Sequence, residues 1–223
     1  VQSLIWAASL YLKTMTRKTS HRNFKKVVAI VGDGFTEKIY FDQLKELEQL
    51  DDVVIKPELP GKAHKGGSYK RIIESAKSLI EKGYDHVYCL IDFDTVISEK
   101  KITAFKNDIA CLDPDCFTVY INNPCFETWI LLHFEKTARM FGSCEDVSIK
   151  ILPHIKGYNK RQDYLKRKNI YKALRPHLDN AIQNAASLEL NRSDHSDKKP
   201  RAEIFKIFKI LNLSPPKPIQ IDK

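Results

Sequence analysis

The 223-residue chain is 43% hydrophobic and carries 37 Lys plus Arg against 28 Asp plus Glu, a formal charge of +9. That composition is ample for one packed core, so the chain reads as one domain or one domain with a helical extension, and a chain too polar to fold is excluded. The charge is segregated: residues 1–26 hold six basic and no acidic side chains, residues 27–150 hold 15 basic against 21 acidic, and residues 151–223 hold 16 basic against seven acidic. Basic surface gathers phosphate through counterion release, whereas an acidic pocket gathers metal, and this pattern favours contact with nucleic acid over merely solvated helix faces. The five cysteines, Cys89, Cys111, Cys116, Cys125 and Cys144, are odd in number and contain no C-x-x-C pair. They argue against a disulfide framework or a zinc ribbon and fit reduced thiols in a cytoplasmic protein.

In chain order, residues 3–12 form an apolar run too short to span a bilayer and without a preceding positive segment, so neither a membrane anchor nor a signal peptide is expected. Met15 followed by Thr16-Arg17-Lys18 is a more plausible start, and residues 1–14 are expected to be an upstream over-extension within a basic segment, 1–23. Residues 26–32 follow as a strand whose unbroken Val27-Val28-Ala29-Ile30-Val31 is the pattern of a strand buried on both faces. The spacing of Ile39, Tyr40, Leu44, Leu47 and Leu50 predicts a helix over 36–50. A short strand at 53–56, a Gly- and Lys-containing loop at 60–68 and an amphipathic helix over 69–82 closed by Gly83 come next. A strand at 86–91, a helix at 99–111 and a strand at 116–121 complete an alternation of strand and helix, and from Pro124 onward the pattern is helical, interrupted at 153–159 and 191–200. The alternation predicts an α/β fold, Rossmann-like, with a mainly parallel four-stranded sheet covered by helices and ligands at the carboxyl ends of the strands. The expected organisation is an α/β core over 24–135, a helical, basic part over 136–213 and a tail over 214–223.

Carboxylates stand at three of those strand ends. Asp33 and Glu37 follow the first strand within Gly32-Asp33-Gly34-Phe35-Thr36-Glu37, Asp92 and Asp94 leave the third, and Glu127 follows the fourth within Asn123-Pro124-Cys125-Phe126-Glu127. A turn with Thr36 or a neighbour capping the helix, Glu37 at the positive end of the dipole and Pro124 at a first helical position accounts for part of this pattern. It leaves unexplained why hydrophobic strands should end in charges that must be desolvated. Magnesium or manganese, hard cations that take oxygen ligands, resolves that cost.

Taken together, Asp33-Gly34-Phe35-Thr36-Glu37 with Tyr40-Phe41, the Asp92-Phe93-Asp94 strand end and the run Asn123-Pro124-Cys125-Phe126-Glu127-x-Trp129-x-Leu131-Leu132-His133-Phe134 resemble RloB-like proteins, in that order along the chain. Gly157-Tyr158-Asn159-Lys160 and the helix around Asn184-Ala185 are similar to that family's carboxyl-terminal half, so the resemblance spans about residues 24–213. It implies a TOPRIM domain related to that of OLD-family nucleases, and magnesium-dependent phosphodiester chemistry on DNA or RNA. Asp92 and Asp94 would hold the principal metal, Asp33 would bind metal or handle protons, and Glu37 and Glu127 would complete a second site. The resemblance further implies a bacterial anti-phage, abortive-infection effector working beside an ATPase partner. One departure stands out: the TOPRIM signature places Glu after the first strand, and here the shorter Asp33 stands there.

The densest basic patch, Lys160-Arg161 with Lys166-Arg167-Lys168, is the expected nucleic-acid-binding surface, with Tyr158, Tyr164 and Tyr171 interleaved either to stack bases or to pack helices. Lys62 and Lys65 beside Gly66-Gly67-Ser68 can touch phosphate but lack the spacing of a nucleotide-binding loop. Two rivals remain. Asp92-x-Asp94-x-Val96 also resembles the first motif of haloacid-dehalogenase-type phosphatases, in which Asp92 would be the nucleophile, although two strands precede it here. The other is a TOPRIM-like adaptor that binds nucleic acid or an ATPase without cutting.

Overall fold

The structure, a computed structural model, describes residues 25–50, 53–60, 68–190 and 199–213. The expectations for the amino-terminal segment, most of the 60–68 loop and the 214–223 tail therefore lie outside the described residues. Strands β1 (Lys26–Val31), β2 (Val53–Glu58), β3 (His86–Asp92), β4 (Phe117–Asn123) and β5 (Arg201–Ala202) form one sheet in the order β2-β1-β3-β4-β5. The first four are parallel, and β5 runs antiparallel to β4. The sheet is thus five-stranded rather than four. The fifth strand is two residues long and carries no hydrophobic run, so it has no periodic signature; it is held by Glu203, whose Oε2 accepts the Ile121 N–H at 2.9 Å, and by Asn123, whose Nδ2 donates to the Lys199 carbonyl at 2.6 Å.

Alternate residues of each strand serve opposite faces, which is why β1 and β3 read as unbroken apolar runs. On one face Ala29, Val31, Val87, Cys89 and Ile91 pack against Tyr69, Ile72, Ile73, Ala76 and Leu79 of α2 (Ser68–Glu81), with Phe93 and Val96 of α3 (Phe93–Ser98) and Phe105 of α4 (Ile102–Ala110). The helix expected over 99–111 is α4, which starts at Ile102, and an additional short helix without a sequence-read counterpart, α3, starts directly off β3. On the other face Val28, Ile30, Tyr88, Leu90 and Tyr120 meet α1 (Phe35–Glu48) and α5 (Glu127–Leu132). Gly34 rather than Thr36 stands at the N-cap of α1 and makes no side-chain cap, and Leu47 is 45% exposed because the last turn of α1 leaves the sheet.

This second face carries the larger core. α6 (Cys144–Ile151), α7 (Gln162–Lys168), α8 (Ile170–Leu174), α9 (Leu178–Leu190) and α10 (Phe205–Ile210) add Val147, Ile151, Leu165, Tyr171, Leu174, Ala181, Phe205 and Phe208 to it. Its centre is aromatic: Tyr40 accepts a 3.0 Å hydrogen bond from Trp129 Nε1, and the indole stacks on Phe208 with centroids 5.0 Å apart. Gln43, buried on α1, ties this layer to the carboxyl-terminal helices by donating to the Leu165 carbonyl at 3.1 Å and accepting from the Tyr171 N–H at 3.0 Å. At the end of the same helix Glu48 takes the Arg175 guanidinium and the Tyr171 hydroxyl. Among the described residues no helix is long and apolar enough to cross a membrane.

Because Phe208 fills the shared core from the far end of the chain, Phe208→Ala is expected to cost about 3–5 kcal/mol. Urea unfolding followed by tryptophan fluorescence and by circular dichroism should show one common transition, shifted to a lower midpoint.

Candidate functional site

β1 and β3 are neighbours although β2 lies between them in sequence, so the strand order reverses between them and their carboxyl ends flank a crevice. Asp33 follows β1 and Asp92 ends β3, placing both at that crevice. The turn after β1 is built around Glu37. A Cβ on Gly32 would lie 2.8 Å from Glu37 Cβ, and one on Gly34 would lie 3.0 Å from Glu37 Oε2. The two glycines therefore make the room in which Glu37 folds back over its own turn, leaving it only 4% exposed. Asp33 is half-buried and accepts the Arg71 guanidinium at 3.3 Å.

β3 is joined to the segment after β4 by main-chain bonds. The N–H groups of Phe93 and Asp94 donate to the Pro124 carbonyl at 3.0 and 3.1 Å, and Asp92 Oδ1 accepts the Phe126 N–H at 2.9 Å. The Asn123–Pro124 peptide is cis and α5 begins at Glu127, so Pro124 is not the first helical residue that its sequence context predicts. Glu127 is 1% exposed; its Oε2 takes the Lys160 ammonium at 2.8 Å and its Oε1 accepts the Tyr158 hydroxyl at 3.3 Å.

The five acids behave as one electrostatic unit. Burial, then the charges of Glu127 and Asp33, raise Glu37 from the usual 4.5 to about 7, against the pull of its own main-chain N–H and of Lys160. Burial, then Glu37, Glu127 and Asp94, hold Asp92 well above the carboxylate range, with Lys160 opposing. Asp94 is raised by burial and by Asp33, while the Thr95 N–H and Lys160 favour its anion. One lysine thus interacts with most of the cluster, and carboxylates that repel one another in a desolvated crevice call for further positive charge.

Among the described residues no three of these carboxylates bring oxygens within 4.8 Å of one another. They line the crevice rather than crowd one point. Asn122, paired in register with Asp92 on β4 and fully buried, has no hydrogen-bond partner for either amide atom. An all-oxygen donor set with excess negative charge fits magnesium or manganese.

All five acids read from the sequence meet here, and so does Lys160, which belongs to the acid cluster rather than to an outer basic surface. Arg161 instead points to solvent and pairs with Asp163, and Lys166, Arg167 and Lys168 are exposed on α7. Base stacking by Tyr158 and Tyr171 is overturned: both are buried, Tyr158 on Glu127 and Tyr171 on Glu48, and only Tyr164 is partly accessible. Arg71 and Asn122 join the site without a sequence signal, because nothing in local spacing ties them to the acids, and Tyr158, read in the sequence with the basic patch, joins it as a partner of Glu127.

The cysteines also differ from expectation. Cys125, in the turn before α5, is disulfide-bonded to Cys144, the first residue of α6, with Cα atoms 5.8 Å apart. The irregular stretch 133–143 carries the chain back to that turn and brings the two together. An odd count hides such a pair because Cys89, Cys111 and Cys116 stay free.

The raised Glu37 has a measurable consequence. Below about pH 4.5 the proton is bound in the folded and unfolded chain alike; between 4.5 and about 7 the folded protein holds more protons, so stability falls as pH rises through that window. Thermal melts of the metal-free protein should show this loss, Glu37→Gln should flatten it, and added magnesium should restore stability at the upper end. Equal pH slopes for the two proteins would show that Glu37 ionises freely.

Comparison with known proteins adds one assignment. No curated protein matches this sequence. A profile of the family described as RloB-like protein matches residues 28–211, from β1 through to the residue after α10, and so includes both the acid cluster and the helices that deliver Lys160. The chain therefore belongs to the RloB-like protein family.

Proposed function

We propose that this chain is a metal-dependent nuclease that cleaves phosphodiester bonds of DNA or RNA on a TOPRIM-type domain. The observation that carries the reading is the burial of Glu37 and Glu127 beside half-buried Asp33, Asp92 and Asp94 around the strand-order reversal, with Lys160 at the centre of their charges. A structural role alone gives no return for desolvating so many like charges.

In this reading Asp92 and Asp94 hold the principal magnesium or manganese, and Asp33, Glu37 and Glu127 hold a second ion or orient water. Such ions supply Lewis-acid polarisation of the phosphodiester and activation of the attacking water. The chain's own residues do the rest. The Phe126 N–H fixes one Asp92 oxygen, leaving the other directed at ligand chemistry. Glu37, held near neutrality, is suited to pass a proton between water and bulk. Lys160 is positioned to meet the charge that develops on the phosphate, and the exposed Lys166, Arg167 and Lys168 on α7 attract the backbone on either side. Asp33, shorter than the usual Glu, pairs with Arg71, so proton transfer is assigned to Glu37 rather than to Asp33. The influence of the Glu37, Glu127 and Asp94 charges on Asp92 favours a shared metal ligand over a lone phosphatase nucleophile. Action beside an ATPase partner in anti-phage defence, which the resemblance to RloB-like proteins implies, is part of the same proposal.

The test is a cleavage assay on plasmid DNA, single strands and total RNA with magnesium or manganese, with the proposed ATPase partner present and absent. Cleavage should require the metal and vanish in Asp92→Ala. Lys160→Ala should lower kcat by about 10²–10³ with a smaller change in KM. Metal binding without cleavage of any substrate would point instead to an adaptor, and equal activity of Asp92→Ala would remove Asp92 from the chemistry.

A further inference from the structure

The acid crevice is bordered by sulfur. Oxygen of Asp92 and the sulfurs of Cys125 and Cys144 all lie within 4.8 Å of one another, and Cys144 Sγ is 3.5 Å from Asp94 Oδ2. Cys125 is fully buried and Cys144 half-buried. In the oxidised chain the two sulfurs are bonded to each other and offer no thiolate. Reduction changes the chemistry of the corner altogether: two thiols then face two carboxylates across a few ångströms.

We propose that reduction of the Cys125–Cys144 bond creates a binding site for one thiophilic divalent cation of the zinc type, held by both thiolates and Asp92. The chemistry balances in two stages. A phosphine gives two electrons to the disulfide and takes up the oxygen of one water as phosphine oxide, and the two protons of that water appear on the sulfurs. The cation then displaces both thiol protons to solvent, as thiolate ligation requires.

Tetrahedral zinc with sulfur ligands near ~2.3 Å and oxygen near ~2.0 Å keeps its donor atoms roughly 3.5–4 Å apart. The sulfur and oxygen atoms lie within 4.8 Å of one another, near that scale, and with Cα atoms 5.8 Å apart separation of the sulfurs on reduction needs rotation about their side-chain bonds rather than movement of the main chain. The ligands are supported from behind: Asp92 Oδ1 is anchored by the Phe126 N–H, and α6 is fixed at its start by Ser143, whose hydroxyl oxygen accepts the Asp146 N–H at 3.2 Å. An open cavity of about 460 Å³ lined by Asp94, Asn123, Pro124, Phe141 and Gly142 among others adjoins the corner through Asp94, which touches Cys144. Asp94 supplies the remaining coordination position or orients a water there.

The site shares Asp92 with the proposed nuclease centre, but ligation by the two thiolates does not depend on that reading. The test accordingly reads binding rather than activity. The full chain is reduced with a phosphine, freed of reductant under anaerobic conditions and titrated with cadmium. The readouts are sulfur-to-cadmium charge-transfer absorption in the ultraviolet and equilibrium dialysis.

The expected result is one cadmium per chain with a band that is absent before reduction. Cys125→Ser and Cys144→Ser should each weaken binding and reduce the band, whereas Cys111→Ser and Cys116→Ser should leave both unchanged. Asp92→Asn should lower affinity roughly tenfold or more. Because Cys125 is buried, Cys144→Ser is the decisive variant if Cys125→Ser fails to fold, with circular dichroism as the check. A reduced protein that takes up no stoichiometric cadmium, a band that survives Cys144→Ser, or unchanged affinity in Asp92→Asn each overturns the site.

Discussion

Desolvated negative charge at the reversal of strand order is the constraint around which this protein is arranged. Parallel strands deliver their carboxyl ends to one rim, and the chain uses that rim for Asp33, Glu37, Asp92, Asp94 and Glu127. Several neighbouring features become intelligible as consequences. Gly32 and Gly34 leave space for Glu37 to fold inward, the Pro124 carbonyl secures the first turn after β3, and Lys160 arrives from the carboxyl-terminal half to offset part of the repulsion. Each of these costs local freedom or burial, and each is placed against an acid.

The dependence runs across the chain. Lys160 and Tyr158 sit on the segment between α6 and α7, and α7, which follows it directly, is tied through Leu165 to α1, whose first turn carries Glu37. A helix that bears a carboxylate at one end is clamped at its middle by Gln43 and at its far end by the Glu48–Arg175 pair. The carboxyl-terminal helices therefore set the electrostatics of a crevice formed mostly by the amino-terminal half. The family match over residues 28–211 covers both parts together.

Much of this was legible from residue pattern alone. The unbroken apolar runs of β1 and β3 mark strands buried on both faces, and carboxylates ending such strands stand out because solubility cannot explain them. What escaped was whatever depends on long-range folding. β5 is too short for periodicity, Asp92-Phe93-Asp94 conceals a helix that starts without a cap, and Cys125 meets Cys144 only after an irregular stretch turns back. Lys160 looked like one member of a basic cluster, since Lys160 and Arg161 are adjacent in sequence but face different surroundings in space. Tyr158 and Tyr171 were misleading for a related reason: a phenol next to lysines in sequence can be sunk in the core beside an acid.

The short antiparallel strand has a practical corollary for dissecting the molecule. β5 and α10 come after the last long helix, yet they close the β4 edge through Glu203 and Asn123 and cover the Trp129 indole with Phe208. A fragment ending with α9 would strip that edge and bare the indole directly behind the turn that bears Glu127. Deletion is thus a blunt tool here: the acidic rim and the last described helix stand or fall together, and single-residue changes are the way to separate their roles.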